Sequence, residues 1–304
     1  MAARADELSM VSASPFSYYA DANVFEAKVT LPIRLNTDDV NLVKIEDEAG
    51  HLLQTAAPLP ANQKYFTYTS AYSELSAQYD AVNQGYRTTA TGVVNGLNIL
   101  NVLTADQVVG QISTFYPEGD AVPTVSFSGT QFVNLRINGH PLTPSQNLGI
   151  FGAKPADDGS YFNDASALSQ ISAQYYNIVG SSALPASVKS QFASPATASN
   201  VNALECSLAN SVSGVPGTDA TCGNVIVVPG FGQIFLEEVE LSRTPDHSSL
   251  DGYDYMFSLV MIRIELQGGL GSGTIRIITL DANGTGKGGP TPTGLPKKSK
   301  QPSL

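Results

Sequence analysis

The chain has 304 residues, 42 % of them hydrophobic and only 14 % charged, with a formal net charge of −11. That apolar content can bury a sizeable core, whereas a charged share well below the usual quarter or so does not suit a solvated helical bundle. The acidic balance excludes a phosphate-backbone partner, which clustered Lys and Arg must meet; the only basic cluster, Lys297, Lys298 and Lys300, sits in the last few residues.

The opening MAARADELSM carries no apolar stretch of the kind a secretory signal needs, and the expectation is a mature exported chain with a start Met added. The first strand signal is the alternation of Val24, Glu26, Lys28 and Thr30 with Phe25, Ala27, Val29 and Leu31. Next comes an internal repeat. Tyr65 to Tyr79 and Tyr161 to Tyr175 share nine of fifteen positions at an offset of 96. Large residues recur on a 4-3-4-3 spacing, as Tyr68, Tyr72, Leu75, Tyr79 and Val82 in one copy and Leu168, Ile171, Tyr175 and Ile178 in the other. Such spacing predicts an amphipathic helix in each. Each helix is followed by strand signals, so units over about 65–115 and 161–228 read as one helix-plus-hairpin used twice.

Further strands are predicted at Val125 to Phe127, Phe132 to Ile137, Val225 to Val228, Ile234 to Leu241, Phe257 to Leu266 and Thr274 to Leu280. They are punctuated by Asn138-Gly139, Pro229-Gly230, Asp251-Gly252 and Gly268-Gly269. From Asn283 onward Gly, Pro, Thr and Lys dominate, which reads as a flexible tail over 283–304 beyond a single β-rich domain of residues 1–282. No stretch approaches the roughly 18–20 apolar residues of a membrane span. The fold expected is mainly β, a β-sandwich-like body carrying two short amphipathic helices from the repeat; a parallel solenoid would need a short period that is absent.

The repeat alignment also sets Cys206 and Cys222 on positions where the first copy has Ile99 and Val109. Two cysteines replacing apolar neighbours on strands expected to pair suggest a disulfide, worth roughly 3 kcal/mol for a loop of this size, and with it an oxidising compartment. Two unrelated buried thiols are the other reading.

A search for chemistry finds little. His51, His140 and His247 stand in separate turns without partners at ligand spacing, and no CxxC occurs, so zinc is not expected. Gly268-Gly269-Leu270-Gly271 leads into a strand, not into the helix N-terminus that cradles phosphate. Glu238 and Glu240 share one face of a strand and could flank a glycosidic bond, although a solvated face with cross-strand charge pairing is the simpler account. Asp246, Ser248, Asp251 and Asp254 crowd one turn, with Asp157 and Asp158 in another. Oxygen ligands in a loop are what Ca²⁺ takes, so Asp246, Asp251 and Asp254 form a weak calcium candidate; no other cofactor is expected.

Three stretches together carry a resemblance: GLNILNVLTADQVVGQIS (Gly96 to Ser113), SGTQFVNLRINGHPL (Ser128 to Leu142) and VIVVPGFGQIFLEEVEL (Val225 to Leu241), followed by the hairpin Met256 to Leu280. In this order they resemble the choice-of-anchor P proteins of bacteria. The resemblance implies an exported surface protein without assigned catalysis. The chain departs from that pattern in lacking a signal peptide and a C-terminal anchor, and Phe151 to Asn224 looks inserted. The functional expectation is a non-enzymatic extracellular structural or adhesive protein, including a self-assembling filament or surface-layer subunit. Self-association would run through terminal segments or edge strands. A carbohydrate- or calcium-dependent binding module is the alternative, ahead of a glycosidase.

Overall fold

The structure is a computed structural model that describes residues 16–31, 35–56, 66–120, 122–155, 160–195, 202–245, 253–267 and 272–283. Its strands in chain order begin with β1 (Tyr19–Leu31), β2 (Leu35–Val40), β3 (Val43–Glu46), β4 (Gly50–Thr55), β5 (Phe66–Thr67), β6 (Ser70–Asp80), β7 (Gly85–Ile99) and β8 (Leu103–Pro117). The short strands β9 (Thr124–Ser126), β10 (Gln131–Val133), β11 (Arg136–Ile137), β12 (His140–Pro141) and β13 (Thr143–Gln146) follow. Two helices, α1 (Ala165–Gly180) and α2 (Ala186–Lys189), precede β14 (Ala203–Ser207), β15 (Ala209–Ser213), β16 (Ala220–Cys222) and β17 (Val225–Val228). The chain closes with the long strands β18 (Gly232–Pro245), β19 (Tyr253–Leu266) and β20 (Ser272–Asn283).

These strands build two nine-stranded antiparallel sheets. The first runs β16-β17-β18-β19-β20-β1-β2, with β14 also on β18 and β3 also on β1. The second runs β12-β11-β8-β7-β6-β4, with β9 and β10 on β8 and β5 on β7; β13 and β15 form a separate pair. The expectation of a mainly β, sandwich-like body with two short helices is met. No helix among the described residues is long and apolar enough to cross a membrane.

Alternation explains the layers. Burial alternates along most of β7 and β8, where Ala90, Val94, Ile112 and Val108 face the core between the sheets. The first sheet answers with Ala20, Ala22, Leu280, Leu259, Val239 and Leu241. Midway along it the alternation slips on neighbouring strands. Ile277 and Ile278 both lie in the core, as do Met261 and Ile262, and Val24 and Phe25. Glu237 and Ile278 have φ of 53° and 55°. A left-handed β-branched residue costs about 1–2 kcal/mol, so Ile278 needs a reason. It is packing: a Cβ placed on Gly92 would lie 2.7 Å from Ile278 Cγ2, and one on Gly110 would lie 2.8 Å from Met261 Cγ. Gly92 and Gly110 are cross-strand partners, so this pair opens the notch that the slipped side chains fill.

The repeat does not fold twice. Tyr161 to Tyr175 yields α1, with Ala167, Ile171 and Ile178 on its buried face. Tyr65 to Tyr79 yields β5 and the strand β6, paired on both sides with β4 and β7, which corrects the expected first helix. Two differences decide this. Asp164 caps α1, its carboxylate accepting from Ala167 N at 2.8 Å, whereas the first copy has Tyr68 at that position, which cannot cap. The first copy also reads with period 2, burying Ala71, Ser73, Leu75 and Ala77, so a strand serves it equally well. The second helix, α2, lies within the second unit but beyond its fifteen-residue match to the first.

The disulfide is corrected too: Cys206 and Cys222 are both free thiols. Cys206 on β14 lies opposite Val239, while Cys222 on β16 lies opposite Val225, itself opposite Phe235. Both strands follow the same side of β18 but four residues apart, roughly 13 Å along the strand, far beyond disulfide reach. The 283–304 tail expected from sequence lies, apart from Asn283, outside the described residues.

Candidate functional site

The strongest concentration of ionisable groups follows from register. Reading across the first sheet, Glu205 on β14 lies opposite Glu240, Glu240 opposite Ser258, Ser258 opposite Asp281, Asp281 opposite Asp21, and Asp21 opposite Lys44. Because Ala20, Ala22, Leu280, Ala282, Phe257 and Leu259 point into the core, this polar row occupies the other face. Asp281 is nonetheless only 2 % exposed. Burial, with Asp21 beside it, pushes the Asp281 carboxyl up to about 8, against the opposing effect of Ser258. The Tyr19 hydroxyl donates to Asp21 Oδ2 at 2.9 Å, and burial together with Asp21 raises that phenol. Two buried carboxyls side by side resist double ionisation, so Asp281 keeps its proton up to about pH 8.

A second buried acid stands in the slipped row. Glu237 is fully buried, its Oε1 accepting from the Gln146 amide on β13. Burial raises its carboxyl to about 7, with the Gln146 hydrogen bond working the other way. Its second oxygen meets no donor among the described residues. Both acids therefore store a proton and are placed to release it as the pH rises toward and above neutrality.

The residues singled out from sequence separate. Glu238 is held bidentately by Arg263, with Nε at 2.6 Å and Nη2 at 2.7 Å, and Arg263 also binds Glu265 and lies 3.7 Å above the Phe235 ring. Glu240 belongs instead to the carboxyl row. A glycosidase needs two carboxyls facing each other across a bond; the guanidinium clamp holds the Glu238 carboxylate turned toward Arg263. Asp246 and Asp251 of the calcium candidate lie outside the described residues, and Asp254 is a buried residue of β19. Among the described residues no three His, Cys, Asp or Glu side chains converge as a metal site. His51 sits 2.9 Å from Glu74 across the β4–β6 pair. Cys206 is half-buried, and its desolvation raises the thiol; Cys222 Sγ donates to Asn177 O at 3.4 Å. A shallow depression of about 160 Å³ lies beside Pro185, Pro229 and Gly230 and is not lined by these acids.

Sequence reasoning missed Asp21, Asp281 and Glu237. A signal for the first two existed. The tripeptide Asp-Ala-Asn occurs at Asp21 to Asn23 and again at Asp281 to Asn283, each inside an alternating apolar run where aspartate is disfavoured. No comparable signal marked Glu237, whose burial depends on a backbone slip.

Comparison with known proteins gives one family, described as "Domain of unknown function (DUF8256)", which matches residues 16–242. No curated protein and no solved structure matches the chain.

Proposed function

The chain belongs to the DUF8256 family, whose match covers more than half of it, and from that premise we propose that it is a non-enzymatic extracellular structural or adhesive protein that assembles with copies of itself. The observation carrying this reading is where the chain enters and leaves the body. β1 and β20 are antiparallel neighbours within the first sheet, and Ala20 lies opposite Ala282. The start of β1 and the end of β20 therefore lie side by side at one pole of the sheet. A body held from that pole presents its opposite end and its flanks, the geometry of a tethered or polymerising unit rather than of a domain threaded in series.

The two carboxyl stores fit a structural role, in which buried acids adjust stability rather than turn over a substrate. The extracellular setting rests on the neutral-polar composition and on the resemblance to choice-of-anchor P proteins. The unbonded cysteines lend it nothing. Negative-stain imaging of the purified full chain over a concentration series tests the proposal, with oligomers or filaments as the expected result. Monomers at every concentration, combined with no retention on immobilised glycans or cell-wall material, would remove it.

A further inference from the structure

Strand β4 ends the second sheet. Its six residues, Gly50–Thr55, are all exposed, with Leu52 at 41 % and Leu53 at 61 %. Ala56 N donates to Ala71 O at 2.9 Å, and the register with β6 runs unbroken from Gly50 opposite Ala77 to Thr55 opposite Tyr72. In an antiparallel ladder hydrogen-bonded pairs alternate. Residues 50, 52 and 54 therefore bond to β6, and the backbone N–H and C=O groups of His51, Leu53 and Thr55 point away from the sheet. Among the described residues no strand meets them.

Long edges of this kind are normally blunted by a charge, a proline or a bulge. The GHLLQT sequence has no Asp, Glu, Lys, Arg or Pro, and its register has no shift. In a chain of net charge −11, a strip free of carboxylates is also where two copies can approach with least repulsion. The core supports the same direction: Leu52 lies opposite Leu75, Leu75 opposite Ala90 and Ala90 opposite Ile112. Leu75, Ala90 and Ile112 are fully buried, so Leu52 is the half-exposed end of a core row.

We propose that β4 is a self-association edge at which a second copy of this chain adds its own β4 antiparallel, about a two-fold axis through Leu53. This inference deepens the self-assembly reading above and rests on it. A two-fold perpendicular to the sheet keeps each side chain on its own face, so partners must have the same parity. Only the register that sets Leu53 opposite Leu53 of the second copy, with His51 opposite Thr55, uses all three outward residues and forms about six backbone hydrogen bonds. The two Leu53 side chains then cover each other, and the second sheets of both copies join into one continuous sheet.

The test is sedimentation of the full chain at physiological salt, from low micromolar to high micromolar concentration, for wild type, Leu53→Lys and Leu53→Pro. Lysine sets two ammonium groups against each other at the axis, and proline deletes an outward N–H without touching the bonds to β6. The expected result is a concentration-dependent dimer or larger species in wild type, with the dissociation constant raised roughly tenfold or more in both variants. In parallel, Leu53→Cys on a Cys222→Ser background should form a cross-linked dimer under mild oxidation. The hairpin-tip control Val82→Cys, 91 % exposed, should not. Wild type that assembles while both Leu53 variants assemble equally overturns the β4 edge and leaves self-assembly standing through another surface. Wild type that stays monomeric overturns both.

Discussion

Replacing Asp281 by Asn tests the carboxyl row most directly. Asparagine has the shape of a protonated aspartate and can donate to Asp21, but it cannot ionise. In the folded chain the Asp281 carboxyl is raised from its ordinary value of 3.8 to about 8. The sign follows from linkage. Between those limits the unfolded chain has lost this proton and the folded chain keeps it, so the folded state binds more protons and wild-type stability falls as pH rises. Each pH unit corresponds to about 1.4 kcal/mol, so from pH 5 to pH 8 wild type should lose about 4 kcal/mol relative to Asp281→Asn. That is a large part of the 5–15 kcal/mol that holds a typical domain together. Urea unfolding of both proteins at unit steps of pH, read by tyrosine fluorescence and circular dichroism, gives the difference directly. Above pH 8 it should level off. A difference that stays constant across the series would refute the reasoning, because it would mean that Asp281 has the same proton affinity folded and unfolded.

Other perturbations address the remaining features. Glu237→Gln should also flatten the pH dependence, but only up to about pH 7, where the carboxyl it replaces ionises; unfolding midpoints between pH 5 and 7 measure this. Gly110→Ala adds a Cβ 2.8 Å from Met261 Cγ and 2.9 Å from Ile278 Cγ2, and should cost about 1–3 kcal/mol by overpacking, measured by denaturation at a single pH. Asp164→Ala should cost about 1 kcal/mol through loss of the α1 cap and lower helical circular dichroism without altering the sheet signal. A thiol reagent should modify Cys222 in the folded protein well before Cys206, since Cys206 is half-buried in β14 and burial raises its thiol; equal rates for both would contradict that environment.

The long strands were legible because each buries one face and so writes an alternation into consecutive residues. Thr274 to Leu280, Phe257 to Leu266 and Ile234 to Leu241 all fall within observed strands. The helix of the second repeat copy was equally visible in its spacing. The first copy misled because its large residues satisfy a helical period and a strand period at once. β4 and β7 resolved the ambiguity by supplying hydrogen bonds on both sides.

Composition and patterning by themselves determined the class of this protein: an acidic, mainly antiparallel β body with a helix where a cap and a stripe coincide. Both are local properties, carried by neighbouring residues within a turn or a strand. Tertiary structure alone decided which carboxyls meet. Asp21 and Asp281 stand at opposite ends of the chain and become neighbours only because β1 and β20 pair. Glu237 is buried only because β18 slips there, with φ of 53° between Leu236 and Glu238. The cysteines part for the same kind of reason, since β14 and β16 take different partners. Pairing between distant strands is a choice among many registers of similar local merit, and packing of the whole core selects one.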